Sequence, residues 1–183
     1  MTRRSRYLAL LRGINVGGNA KIAMQDLRSV LEKSGLESVR TYIQSGNIIF
    51  ESDEDNTTVL AELIKDVIEQ NFELTVPVVV FTRTEWSKIV QEAPAWWGKD
   101  EDWKHNLLVL LKPYDMSATI AAIGTLKPDI ERLEPGDGVL YQAMSRALFG
   151  RTTTGKLAAS PIYQRMTVRN YNTAKKLLTL LDD

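Results

Sequence analysis

Tyr7-Leu8-Ala9-Leu10-Leu11 is an unbroken apolar run that ends at Arg12-Gly13. Such a run suits a strand buried on both faces. A loop, Gly13-Ile14-Asn15-Val16-Gly17-Gly18-Asn19, follows it. Met24, Leu27, Val30 and Leu31 then recur at helical spacing until Gly35 supplies a stop. Val39, Thr41 and Ile43 alternate with Arg40, Tyr42 and Gln44, and Ser45-Gly46-Asn47 turns the chain into Ile48-Ile49-Phe50, the pattern of a hairpin. Leu60, Leu63, Ile64, Val67 and Ile68 form the cleanest helical stripe of the chain, behind a cap-rich start at Asp53 to Thr57. A strand over Val76 to Phe81 closes this half.

The second half repeats the order. Thr84 caps a short helix with Trp86, Ile89, Val90 and Ala93 on one face, stopped by Pro94. After a tryptophan-rich loop, Leu107 to Leu111 reads as a strand, and Ile120, Ile123 and Leu126 mark a helix ended before Pro128. Glu134-Pro135-Gly136-Asp137-Gly138 turns the chain into Val139-Leu140-Tyr141. Residues 145–168 hold only short apolar pieces, separated by Thr152-Thr153-Thr154-Gly155 and Ser160-Pro161, and read as irregular. Ala174, Leu177, Leu178 and Leu181 give a closing helix begun by Asn170 or Asn172. The pattern thus predicts an α+β protein of two βαββα-type halves, residues 1–82 and 83–183. From first strand to hairpin turn the first copy advances 39 positions (Tyr7 to Gly46) and the second 29 (Leu107 to Gly136), much of the excess lying in the Gly13 to Asn19 loop. A βα connection needs only a few residues, so the extra length asks for a further role.

Composition narrows the chemistry. With no cysteine and one histidine, His105, the chain cannot assemble a disulfide, a thiolate nucleophile or a zinc site of nitrogen and sulfur ligands. Asp53-Glu54-Asp55 and Asp100-Glu101-Asp102 could supply carboxylates to magnesium but read better as solvated loops, so no metal or cofactor is expected. Arg3-Arg4-Ser5-Arg6 before the first apolar run imitates a signal peptide, yet the run breaks at Arg12, and no stretch approaches the ~20 apolar residues that span a bilayer. A cytoplasmic location without membrane contact is the expectation. Lys and Arg number 23 against 23 Asp and Glu. The balance hides an asymmetry: residues 139–181 carry seven basic side chains and no acidic one, and residues 1–40 carry eight against three. If the two ends meet in space, one face is basic although the total is zero.

Three strings, Leu11-Arg12-Gly13-Ile14-Asn15-Val16-Gly17-Gly18, Thr41-Tyr42-Ile43-Gln44-Ser45-Gly46-Asn47 and Thr167-Val168-Arg169-Asn170-Tyr171-Asn172-Thr173, resemble the domain-of-unknown-function 1697 family. Tyr171 stands where the family pattern has tryptophan, which keeps an aromatic ring. The resemblance implies a bacterial-type cytosolic protein built of two ferredoxin-like halves, with antiparallel sheets and helices packed on one face. It implies no activity.

The glycine loop lies between a strand and a helix, where backbone N–H groups can cradle an anion. Gly13 to Gly18 fits the first half of a P-loop spacing, but Asn19-Ala20 replaces the required Lys and Ser/Thr, so an NTPase is not indicated. Arg12, Gly13, Asn15, Gly17, Gly18 and Lys21 are therefore candidates for binding a phosphate or other anion, against the plainer role of a tight turn. Gln44, Ser45 and Asn47 could present side chains at a rim. Arg169, Asn170 and Asn172, with Lys156 and Arg165 upstream, could hold a carboxylate or phosphate in forked geometry. The plainer alternative gives Asn170 or Asn172 to helix capping and Arg169 to an internal ion pair. Ser45 and Ser145 lack the setting of a hydrolase nucleophile, and His105 reads as structural. Trp96, Trp97 and Trp103 either cover the core or form a partner patch. The residues thus point to binding of a small anionic ligand, a nucleotide or phosphorylated metabolite, with the Arg12/Lys21 loop and the Arg169/Asn170 segment side by side. A nucleic-acid-binding module and a protein–protein adaptor using the tryptophan loop are the alternatives; against the former, the strands lack an aromatic-rich RNA-binding signature. The residues do not indicate an oligomeric state.

Overall fold

The computed structural model describes residues 4–16 and 21–183, so Gly17 and Gly18 lie outside the described residues. The chain divides into two compact units, Met1–Ser87 with Leu177–Asp183, and Lys88–Lys176. The first unit contains β1 (Ser5–Leu11), α1 (Met24–Lys33), β2 (Glu37–Tyr42), β3 (Asn47–Ser52), α2 (Thr57–Phe72) and β4 (Val78–Thr82). Its sheet is antiparallel in the order β2-β3-β1-β4, with Ala9 of β1 opposite Ile48 of β3 and Val80 of β4. The residues Tyr7, Ala9, Leu11, Ile48, Phe50 and Val80 share a core with Leu27 and Leu31 of α1 and Leu60, Ile64 and Ile68 of α2. Tyr7 and Phe50 stack with ring centroids 5.6 Å apart. Leu8, Leu10 and Ile49, on the opposite face, are buried as well. That double burial explains why β1 reads as a continuous apolar run rather than an alternating one.

The helix α3 (Arg83–Gln91) starts two residues earlier than a Thr84 cap implies. Thr82 is the capping residue: Glu85 Oε2 accepts from the Thr82 N–H at 2.7 Å and the Glu85 N–H donates to Thr82 Oγ1 at 3.1 Å, a reciprocal capping box. The last turns of α5 (Tyr171–Asp182) belong to the first unit. Arg6 Nη1 donates to the Leu181 carbonyl, Arg40 Nη2 to the Leu180 carbonyl, and Arg83 pairs with Asp182. Arginines thus meet the negative end of the helix where its carbonyls lack intrahelical partners.

The second unit carries β5 (Trp103–Leu110), α4 (Met116–Ile123), β6 (Glu131–Pro135), β7 (Val139–Ser145) and β8 (Met166–Asn170), in an antiparallel sheet of order β6-β7-β5-β8. The two units therefore share one strand order. They differ in the link before the fourth strand. Where the first unit has α2, the second has three 3-10 segments, Phe149–Arg151, Thr154–Ala159 and Pro161–Arg165. The fourth strand itself corrects the irregular stretch expected over 145–168: Met166–Asn170 pairs with β5, Val168 opposite Leu108. α4 ends at Ile123 with Gly124 at φ 93°, so Leu126 falls beyond it.

Glu131 anchors the 3-10 link. Its side chain is buried. Oε1 accepts from the N–H groups of Lys127 and Thr153, and Oε2 from the N–H and hydroxyl of Thr154, all between 2.7 and 3.0 Å. Burial by itself pushes a carboxyl up, but these four donors together hold Glu131 below the usual carboxylate range.

Candidate functional site

The structure brings the glycine loop and the β2–β3 turn together at one end of the first sheet. Asn15 joins them: its Nδ2 donates to the carbonyls of Ile22 (2.9 Å) and Gln44 (3.0 Å), while its Oδ1 accepts from the Ile22 N–H at 2.9 Å. The amide is therefore spent on closing the loop rather than left open for a ligand. The Leu11 N–H donates to the Gly46 carbonyl at 2.8 Å, and a Cβ at Gly46 would lie 2.6 Å from that of Leu11, so only glycine allows this approach. Asn47 is fully buried, and its Nδ2 donates to the Tyr42 carbonyl and to Ser45 Oγ within the turn.

Four residues here have positive φ: Gly13 (76°), Asn15 (54°), Ile43 (49°) and Gly46 (72°). Ile43 is the costly one, because a left-handed conformation disfavours an L side chain by roughly 1–2 kcal/mol. It is also 49% exposed, and Val16 on the facing loop is 61% exposed, so burial does not offset the strain. Strain of this kind gathers where a loop is held in shape for contact with something else. Gln44 and Lys21 are exposed and Arg12 is half-buried at the same end. α1 starts directly after this loop, and its N-terminus differs from those of α2, α4 and α5. Ala23 offers α1 no side-chain cap, whereas Asn56, Asp115 and Asn170 accept from first-turn N–H groups.

The C-terminal candidates lie in the other unit and have separate duties. Arg169 is 5% exposed on β8 and donates from Nη1 to Thr167 Oγ1 and to the Val168 carbonyl, both at 2.8 Å. Burial pulls the guanidinium down to about 10, which leaves it charged at neutral pH. A side chain so enclosed is bonded within its own unit. Asn170 caps α5 through the Thr173 N–H at 2.8 Å. Asn172 is exposed on the first turn of that helix.

Asn170 and Asn172 also line a cavity of about 530 Å³, along with Asp100, Glu101, Lys104 and Arg146. Of the remaining four, Asp100 and Glu101 belong to the acidic run Asp100-Glu101-Asp102, read from the sequence as a solvated loop, and Lys104 and Arg146 are on no string singled out for chemistry. His105 is at the cavity wall, donating from Nε2 to the Asp100 carbonyl at 2.9 Å, because a carbonyl only accepts. Its Nδ1 is buried without a hydrogen-bond partner. Trp103, at the end of the tryptophan loop, lines this cavity. Trp97 is 4% exposed, donates to the Asn106 carbonyl at 3.0 Å, and meets Tyr141 and Tyr171 edge-on at 5.4 and 4.9 Å. Arg132 covers Trp103 at 5.3 Å and Trp96 donates to Glu134, so of the three tryptophans Trp97 is buried and Trp96 and Trp103 are half-buried against charged neighbours. Among the described residues, no three His, Asp or Glu converge to hold a metal ion, and no helix is long and apolar enough to cross a membrane.

Two four-stranded antiparallel sheets with the same strand order, each with helices, define an α+β protein with two similar halves. The chain belongs to the family described as Protein of unknown function (DUF1697), whose pattern matches residues 4–141. The Leu11–Gly18 and Thr41–Asn47 strings fall inside the matched span and the Thr167–Thr173 string beyond it. The chain is similar to the conserved bacterial protein SP0830 from Streptococcus pneumoniae, at 30% identity over 98% of this chain and 99% of that one, with a TM-score of 0.87. No curated protein matches it.

Proposed function

We propose that the protein binds a small anionic ligand, a nucleotide or phosphorylated metabolite, at the loop end of the first unit. One observation carries this reading: Asn15 clasps the strained β2–β3 turn to a loop that runs directly into the uncapped N-terminus of α1. First-turn N–H groups that Ala23 cannot cap and the positive end of the helix dipole favour an anion there, and Lys21 and Arg12 add charge at the same end. The sheet supports a nucleic-acid role less well. RNA-binding sheets of this type present an open face with aromatic rings, whereas β1 is buried along both of its faces.

A thermal-shift screen with inorganic phosphate, pyrophosphate, ATP and sugar phosphates tests the proposal. A ligand bound only by the folded state, at about 100 times its Kd, adds roughly 2.7 kcal/mol and raises Tm by several degrees. Lys21→Ala should reduce that shift and leave the free protein unchanged, since Lys21 is exposed. A screen without any stabilising anion, or a shift untouched by Lys21→Ala and Asn15→Ala alike, would refute the site.

A further inference from the structure

We propose that the second unit holds a separate binding site, in the cavity of about 530 Å³, for a small zwitterion of amino-acid type. The argument starts from four charges. Asp100, Glu101, Lys104 and Arg146 all line the cavity, two of each sign, yet among the described residues none of them belongs to an ion pair. Lys104 Nζ lies over the Phe149 ring at 5.6 Å from its centroid, a contact that leaves its charge unneutralised, and unlike charges that share a concave surface without pairing can each meet a ligand. The volume is within the range of about 300–1,000 Å³ usual for small-molecule sites.

The walls are already positioned. Arg146 donates from Nε to the Glu101 carbonyl and from its backbone N–H to the Asp102 carbonyl, both at 3.0 Å, which fixes the stem and leaves the Nη edge to the cavity. Asp100 Oδ1 accepts from the Asp102 N–H at 3.0 Å, and the Asp100 carbonyl accepts from His105. Gly98, at φ 80°, lies so close to the Tyr171 ring that a Cβ would come within 2.3 Å of it, which locks the loop onto the start of α5. Arg146 and Asp100, held in this way, lose little freedom when a ligand binds.

Charge sign then selects the ligand. A phosphate or a dicarboxylate could meet Arg146 and Lys104 but would cover Asp100 and Glu101 without compensation, and desolvating an unpaired carboxylate is costly. A polyamine has the converse problem. A molecule with one carboxylate and one ammonium satisfies both pairs, the carboxylate at Arg146 and Lys104 and the ammonium at Asp100 and Glu101. Asn172, exposed and lining the cavity, adds an amide for a polar side chain.

The test is ligand-observed NMR and calorimetry on the full chain with a panel of free α-amino acids, each beside its carboxamide and its N-acetyl derivative. At least one amino acid should bind with submillimolar Kd, and both derivatives should bind at least tenfold more weakly. Arg146→Gln and Glu101→Gln should each weaken the amino acid about tenfold or more, whereas Lys21→Ala, in the other unit, should leave it unchanged. Both substituted side chains project from exposed positions, so circular dichroism of the variants should match the parent. Absence of binding by every amino acid at about 10 mM, or an N-acetyl derivative binding as tightly as its parent, would overturn the zwitterion site.

Discussion

The two units reach the same strand order through different third connections. In the first, α2 buries Leu60, Ile64, Val67 and Ile68 and leads into β4. In the second, three 3-10 segments lead into β8, burying Leu157 and two threonines, Thr152 and Thr154, and are held by one carboxylate, Glu131. The difference teaches that the strand order does not depend on the crossover being a helix. It rests on the central strand and the hairpin, β1 with β3 in one unit and β5 with β7 in the other. The crossover need only cover one face of the sheet, and a hydrophobic stripe or a satisfied polar anchor can do so. These two solutions respond differently to mutation and to acid.

The largest effect should come from the hydrophobic link. Ile64 is fully buried among α2 and sheet residues, so Ile64→Ala removes its apolar contacts and leaves a cavity, costing about 3–4 kcal/mol. Glu131→Gln keeps the shape of the polar link but puts an amide N–H₂ where one oxygen accepted two bonds, leaving buried donors facing a donor. The expected cost is about 2–3 kcal/mol. Urea denaturation of both variants decides the order. If Glu131→Gln costs less than about 0.5 kcal/mol, the carboxylate is not the anchor of this link.

Acid should separate the units further. The folded Glu131 carboxyl is held below its usual range, while in the unfolded chain it titrates near about 4.3. Its stabilisation is therefore fully present above about pH 4.3 and is lost as pH falls through the lower folded value. The parent should lose stability on acidification more steeply than Glu131→Gln, which has no proton to gain there. Denaturation midpoints measured from about pH 6 to pH 3 check this, and parallel curves for the two proteins would contradict it. Ile64→Ala should instead shift the whole profile down without changing its slope, because no titrating group is lost.

The same contrast explains what was legible in the sequence. α2 could be read because its stabilisation is written locally, in apolar residues three and four apart and an Asn before the first turn. The Thr152–Gly155 segment could not, because its partner Glu131 is more than 20 residues away and looks like any surface acid. β8 was hidden for a related reason: Met166 and Val168 face the core, but the alternate positions Thr167 and Arg169 are buried as well, so polar residues stand where the fold encloses them and the short apolar alternation does not stand out. At the candidate site, Gly13, Asn15, Gln44 and Gly46 were visible as turn chemistry, and the clasp between them appears only when the strands pair. Arg169 left two readings open in the sequence, a ligand contact or an internal partner, and the fold encloses it, bonded to Thr167 and the Val168 carbonyl. The cavity in the second unit was least legible, because Asp100, Glu101 and Lys104 are neighbours in sequence but Arg146 after β7 and the asparagines at the start of α5 join them only when the sheet pairs.

The smallest effect expected is at the entrance of α2. Asn56 Oδ1 accepts from the N–H groups of Thr58 at 2.9 Å and Val59 at 3.3 Å, and the side chain is exposed. Removing a cap of this kind costs about 1 kcal/mol for Asn→Ala, and Asn→Gly costs only a few tenths, because water reaches the freed N–H groups of the glycine variant. Asn56→Ala should therefore lower stability by about 1 kcal/mol and Asn56→Gly by less, with neither changing the slope of the acid profile. Thr154→Val makes the matched change in the second unit, since it removes one hydroxyl from a carboxylate that solvent does not reach. Its cost should exceed that of Asn56→Ala, at about 1.5–3 kcal/mol, as expected for a bond to a charged group. The ratio of these two losses measures how far each link relies on water: if Thr154→Val proved no more costly than Asn56→Ala, the Glu131 anchor would be as replaceable by solvent as an exposed cap, and the distinction between the two crossovers would fail.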